Sequence, residues 1–162
     1  MTIIVKPFKK HKELKKTLLN LINKLPRSPK ESLYNTDWYL SKEYKREYLD
    51  LFYKNIGEHM DFLTKHFDCH RWDIRNGWFQ QYKKGNKHDW HNHAGHQFAN
   101  VYYLELPNID ARTEFLNKPT PEVSEGDILT FPAYMPHRSA PSKTSKRKTI
   151  IAFNSNLFHG YN

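Results

Sequence analysis

Two segments far apart in the chain constrain its fold most: Trp90-His91-Asn92-His93 and Phe131-Pro132-Ala133-Tyr134-Met135-Pro136-His137. Residues at i and i+2 lie on the same side of an extended backbone, so His91 and His93 can converge on one ion while His137 arrives from a distant strand. Imidazole suits iron, copper, nickel and zinc. The spacing is not that of a zinc finger, because no Cys pair accompanies it. Three such ligands leave coordination positions open, which fits a catalytic centre better than a structural knot.

At 162 residues, 38% hydrophobic and 15% aromatic, the chain is long enough for one domain with its own core and short for two, so residues 1–162 are expected to form a single domain. Cys69 is the only cysteine, which excludes an intramolecular disulfide and fits a reducing compartment; we expect an inert, partly buried thiol. Met1-Thr2-Ile3-Ile4-Val5 gives way to lysines, the wrong order and length for a signal peptide, and no apolar run approaches a membrane span. A soluble, cytoplasmic protein without membrane contact is expected. Nothing in the sequence fixes its oligomeric state.

The chain divides into a helical front, residues 1–70, and a strand-rich back, residues 71–162. A first helix is expected over about 8–25, ended by Leu25-Pro26, and a second from Ser41, which could cap it, toward Phe67. His59 and His66 on that second helix read as packed or surface residues. Beyond Cys69, aromatic and β-branched runs at 78–82, 98–106, 113–116, 128–131 and 149–153 read as strands. Gly85-Asn86, Pro107-Asn108, Pro119 to Pro121 and Glu125-Gly126-Asp127 separate them. Many short strands after two helices suggest a β-sandwich or jelly roll buttressed on one side by the helices, an α+β architecture.

The formal charge of +9 raises the question of an acidic partner. Lys6, Lys9, Lys10, Lys12, Lys15 and Lys16 flank Leu14, Leu18, Leu21, Ile22 and Leu25 at helical spacing, so they read as the solvated face of an amphipathic helix before they read as a nucleic-acid contact. Lys143, Lys146, Arg147 and Lys148 lie between His137 and the strand at 149–153, nearer the histidines.

His91-x-His93, Val101-Tyr102-Tyr103-Leu104-Glu105-Leu106-Pro107, Gly126-Asp127-Ile128-Leu129-Thr130-Phe131-Pro132, His137 and Lys148 to Asn154 follow one another in an order that resembles the iron(II)- and 2-oxoglutarate-dependent oxygenases, in particular a small branch found in bacterial and phage genomes. The match spans roughly residues 78–156. The resemblance implies a double-stranded β-helix, a cupin-like jelly roll whose open mouth holds iron(II), with 2-oxoglutarate and O2 as cosubstrates and His91, His93 and His137 as ligands and catalytic residues. A phage-encoded member would act in the host cytoplasm. One departure is plain: most relatives carry His-x-Asp or His-x-Glu, whereas His93 stands at the carboxylate position, and Asp89 is the alternative source of a carboxylate.

The resemblance also implies a cation on the last core strand for the far carboxylate of 2-oxoglutarate. Aligned from Phe153-Asn154 this is Lys148; counted from His137 it is Arg147. Alternation puts the two on opposite faces, and Lys148, Ile150, Ala152 and Asn154 share the family's inward parity. Tyr82, nine residues before His91, matches a phenol that related enzymes present to the same carboxylate, and Tyr103 is a further candidate for the pocket wall. His88 and His96 flank the motif as candidate substrate or supporting contacts; Trp90 shields the ligands or packs; His11, His70 and His159 have no evident partners.

Three readings follow. The first is an iron(II)/2-oxoglutarate oxygenase, a hydroxylase of an unidentified substrate, small or macromolecular, with basic charge favouring an acidic one. The second is a cupin-like three-histidine metalloenzyme that does not use 2-oxoglutarate. The third is a basic nucleic-acid-binding module without catalysis.

Overall fold

The computed structural model describes residues 2–30, 32–107 and 111–160. In chain order the elements are β1 (Ile4–Pro7), α1 (His11–Asn23), β2 (Asn35–Thr36), α2 (Glu47–Asn55), α3 (Gly57–His66), β3 (Arg71–Tyr82), β4 (His88–His91), β5 (Phe98–Glu105), β6 (Thr113–Phe115), β7 (Asp127–Pro132), β8 (His137–Ser139) and β9 (Lys148–Phe158). A six-stranded sheet has the order β1-β7-β5-β9-β3-β2 and a three-stranded sheet the order β4-β8-β6, with antiparallel pairing throughout. Consecutive strands from β3 to β9 cross from one sheet to the other, which makes the expected double-stranded β-helix, or jelly roll.

Strand alternation sorts side chains into two cores. Ala99, Val101 and Tyr103 of β5 and Ile150 and Ala152 of β9 point between the sheets, where Phe115 and Phe131 meet edge to face at 4.8 Å. Tyr102, Leu104, Ile151 and Phe153 point the other way, against the helices. Leu14, Leu18 and Ile22, spaced by four along α1, complete that second core, and Phe52 of α2 stacks on Tyr102 at 5.2 Å. Strand β9 is thus buried on both faces, which is why its stretch from Ile150 to Phe153 is apolar without alternation. The lysines of α1 that the sequence assigned to a solvated face include Lys12 and Lys16, both exposed.

The front half departs from expectation in three places. It supplies strands as well as helices: β1 and β2 cover the two ends of the large sheet, where open backbone groups would invite pairing with another chain. The segment after Ser41 is not helical, because the Arg46 guanidinium donates to the carbonyls of Asp37, Leu40, Ser41 and Tyr44 and holds the chain as a loop; α2 starts only at Glu47. The expected single helix to Phe67 is two, α2 and α3, which bend around the fully buried Ile56, where Asn55 Nδ2 turns back to Leu51 O at 2.9 Å and Gly57 follows. Strands β3 and β9 run well beyond 78–82 and 149–153, and the short β4 and β8 were not foreseen. Asn108 of the Pro107-Asn108 turn lies outside the described residues. Among the described residues no helix is long and apolar enough to cross a membrane.

Gly77 of β3 passes directly under α2. A Cβ there would sit 2.1 Å from the Tyr53 hydroxyl and 3.3 Å from Ala152 O. Gly77→Ala should destabilise the fold by about 1–3 kcal/mol, read as a lowered denaturation midpoint, and Tyr53→Phe in the same chain should restore part of the loss. An unchanged midpoint would show that the helix layer yields freely here.

Candidate metal centre

The three histidines meet because β4 and β8 pair with His91 directly opposite His137. His93 follows two residues on, its position set by the backbone bond from His93 N to Ala133 O at 2.8 Å. Ring centroids lie 4.2 Å apart for His91 and His137, 5.1 Å for His93 and His137, and 5.3 Å for His91 and His93. One ring nitrogen from each falls within 4.8 Å of the other two.

Which nitrogens face one another follows from the other side of each ring. His91 Nδ1 donates to Asp89 O at 2.7 Å, His137 Nδ1 to Met135 O at 2.9 Å, and His93 Nδ1 to Asn154 Oδ1 at 2.6 Å. All three acceptors are oxygens, so each Nδ1 carries the proton and each Nε2 keeps a free lone pair for a cation. Asn154 is itself fixed, its Nδ2 donating to Asn76 Oδ1 at 2.8 Å. Burial lowers the pKa of His91 and His93, and burial followed by the neighbouring His91 takes His137 down to about 3, so the cluster is neutral at physiological pH. Phe131, at 4.6 Å from His137, and Trp78, at 5.7 Å from His93, wall it with aromatic rings. This donor set fits a divalent transition metal with open positions.

Asp89 does not join the cluster. Its carboxylate is exposed and bonds Lys87 Nζ at 2.7 Å, and only its carbonyl serves His91. The alternation that put Asp89 on the side of His91 is broken by the irregular pairing of β4 with β8 between His88 and His91.

Below the histidines lies a narrow chamber of about 30 Å³, whose lining includes Trp78, Gln80, Tyr82, Thr113, Ser139 and Lys148. Lys148 is 1% exposed, donates to Ser139 Oγ at 2.8 Å and sits 4.3 Å from the centre of the Tyr82 ring. No carboxylate among the described residues pairs with it, and burial alone lowers its pKa to about 7. Arg147 points to the opposite face, where it pairs with Glu105 at 2.8 Å. Tyr82 lines the chamber and donates to Gln80 Oε1 at 2.7 Å. Tyr103 stands behind the wall, its hydroxyl donating to Thr113 Oγ1 at 2.8 Å.

Above the histidines opens a cleft of about 370 Å³, bounded by Trp38, Tyr39, Trp78, Asn76, Asn92 and His96 among others. His88 stacks on His91 at 3.9 Å and lines both cavities. Trp90 is exposed beneath Arg138, at 4.7 Å. Of the remaining histidines, His59 bonds Thr130 Oγ1 at 3.2 Å, His11 bonds the Tyr102 hydroxyl at 2.7 Å, and His159 bonds Asp68 O at 2.8 Å, each away from the cluster. Asn154 and Ser139 were not read from the sequence as site residues, although the inward parity of β9 marked Asn154's face. Trp38 and Tyr39 carried no motif at all.

No protein-family model matches the chain, and no curated protein matches it in sequence. Among solved structures, it is similar to a viral collagen prolyl hydroxylase from Paramecium bursaria Chlorella virus-1 in complex with 2-oxoglutarate (TM-score 0.68, 18% identity, 98% of this chain and 96% of that one). It also resembles an oxidoreductase of the 2-oxoglutarate–Fe(II) oxygenase family from Burkholderia pseudomallei (0.75, 12%, 99% and 86%). A third likeness is to HygX from Streptomyces hygroscopicus with nickel and 2-oxoglutarate bound (0.63, 11%, 95% and 82%). At these identities the likeness is one of fold.

Removing the partner of His93 Nδ1 tests the tautomer argument. Asn154→Ala should weaken cobalt(II) binding about 10- to 100-fold, followed by the metal's visible absorption, whereas His137→Ala should abolish it. Unchanged affinity in the Asn154 variant would mean that the ring is held by packing alone.

Proposed function

We propose that this protein is a non-haem iron(II)- and 2-oxoglutarate-dependent oxygenase that hydroxylates its substrate. The observation that carries the reading is the buried, carboxylate-free Lys148 on the floor of the chamber that His91, His93 and His137 close from above. A cation sealed away from water needs a counter-charge, and a divalent metal on three neutral imidazoles needs another. A slender dianion reaching from one to the other supplies both. The solved structures named above support the same reading, since the viral prolyl hydroxylase is complexed with 2-oxoglutarate and HygX holds nickel and 2-oxoglutarate in this fold.

Iron(II), when held there, would supply O2 chemistry in which one oxygen atom enters succinate as 2-oxoglutarate loses CO2 and the other enters a substrate C–H bond as a hydroxyl. The chain's own part is placement. His91, His93 and His137 hold the metal through Nε2, and Asp89 O, Asn154 Oδ1 and Met135 O fix the rings so that little reorganisation accompanies binding. Lys148, with Ser139 and Tyr82 around it, holds the far carboxylate as a point charge rather than as a bidentate fork. Phe131 and Trp78 limit water at the reacting centre. Tyr103 acts through Thr113 by supporting the wall, and Arg147 contributes to the outer surface through Glu105.

The three neutral ligands favour one second reading, a cupin-like three-histidine enzyme that does without 2-oxoglutarate. Addition of iron(II) and then 2-oxoglutarate in the absence of oxygen separates the two. A visible metal-to-ligand charge-transfer band supports the oxygenase; iron binding without the band supports the second reading.

Lys148→Ala should raise the dissociation constant for 2-oxoglutarate at least about tenfold while leaving iron binding in place, and Arg147→Ala should change neither; the reverse pattern would move the anchor to Arg147. The affinity should also depend on pH. Lys148 holds an anion only when charged, and its pKa in the free protein is lowered to about 7. Affinity should therefore be fully developed below pH 7 and fall as pH rises above it, approaching about tenfold per unit. A flat titration to pH 9 would exclude Lys148 as the anchor.

A further inference from the structure

A ridge of positive charge borders the outer cleft, built by three loops that backbone bonds knit together. Gly85 N donates to Ser142 O at 2.8 Å, Ser142 N to Asn86 O at 2.9 Å and Lys87 N to Ser32 O at 3.0 Å. The loops gather Arg27, Lys30, Lys83, Lys84 and Lys146, and no carboxylate among the described residues forms an ion pair with any of the five. Aromatic rings are interleaved: the Tyr34 ring lies 4.2 Å from the Arg27 guanidinium and 4.3 Å from Lys83 Nζ, and Lys30 Nζ lies 5.6 Å from the Tyr39 ring. The hydrogen bond and charge of Lys83, and then Arg27, hold the Tyr34 phenol below its ordinary pKa.

The ridge runs into the cleft through Leu33 and Tyr39, which line it, and through Lys87, the neighbour of His88. The texture changes there. Among the described residues the cleft lining contains no Asp, Glu, Lys or Arg, only aromatic, amide, hydroxyl, aliphatic and imidazole groups. Trp38 is 54% exposed and meets Trp78 at 4.6 Å, leaving a flat surface open beside the histidine cluster.

We propose that this surface binds single-stranded nucleic acid, with phosphates along the ridge and one nucleotide seated against Trp38 in the neutral cleft. A chain that alternates anions with flat uncharged rings matches both textures. A bilayer surface or an acidic peptide would use the ridge and leave the aromatic cleft without a partner. The docking of the strand stands independently; the presentation of its nucleotide to the metal rests on the oxygenase reading.

The test uses the whole, metal-free chain and a short fluorescent single strand of mixed sequence, as DNA and as RNA, followed by anisotropy. Binding should weaken about 20- to 50-fold between about 50 and 200 mM salt, the slope for three to four phosphate contacts. Arg27→Glu with Lys84→Glu and Lys146→Glu should abolish it, while Lys9→Glu with Lys12→Glu and Lys16→Glu at and before α1, the same loss of charge elsewhere, should change it little. Trp38→Ala should weaken it about fivefold or more. Absence of binding at low salt, equal loss in the α1 control, or indifference to Trp38 would overturn the proposal. So would tighter binding to phosphatidylserine vesicles or to polyglutamate than to the strand. Because neither iron nor 2-oxoglutarate is present, failure here leaves the charge-transfer experiment untouched, and failure there leaves this one standing.

Discussion

Burial of β9 on both faces is the constraint on which the other features hang. It is an inner strand, paired with β3 and β5, so its backbone groups are satisfied from both sides and its side chains must suit two different interiors. Ile151 and Phe153 join the helices to the sheet, while Ile150 and Ala152 fill the space between the sheets. The same inward face carries Lys148 at one end and Asn154 near the other. A slip of one residue would send both toward the helices and leave a cation and an amide stranded in hydrocarbon, so the apolar packing of β9 enforces the polar geometry of the site.

The histidine cluster is prepared by groups that stand outside it. Two backbone carbonyls and one amide oxygen set the tautomers, and the aromatic walls keep the imidazoles neutral, so the lone pairs are available without displacing protons at neutral pH. No carboxylate joins the three imidazoles, so a divalent cation held there would keep its full charge. Lys148 at the chamber floor is a second positive demand close to the imidazoles, with no carboxylate among the described residues to meet it.

Charge is segregated on this molecule rather than spread. The lysines of α1 face solvent over a helix whose other side is core, whereas those of the loops around Tyr34 and Lys83 surround aromatic rings and stop at the edge of a cleft free of charged side chains. A positive rim with a neutral interior favours a ligand whose charge and whose reacting part are separate, because bringing a charge into the cleft would meet no partner.

Part of the architecture could be read from the residues: the strand-rich back half and the shared side of His91 and His93 follow from a period of two, which is local, whereas His137 as their distant partner and the choice between Lys148 and Arg147 leaned on the order of motifs that carries the resemblance. The helix of residues 11–23 was likewise legible from its apolar spacing. Other features depended on contacts between distant residues. Whether Asp89 reached the cluster turned on an irregularity in a strand pair, and whether Ser41 began a helix turned on Arg46 gathering four carbonyls. Trp38 and Tyr39 border the cleft only because β2 pairs at the end of the large sheet, and the ridge exists only because three loops meet. Sequence alone thus determined an α+β chain with a strand-rich back half and put His91 and His93 on one side of a strand, since alternation along a strand is a property of the chain itself. Tertiary structure decided which cation is buried, which rings line the cleft and where the charge collects, since these depend on hydrogen bonds and packing between segments that carry no trace of one another.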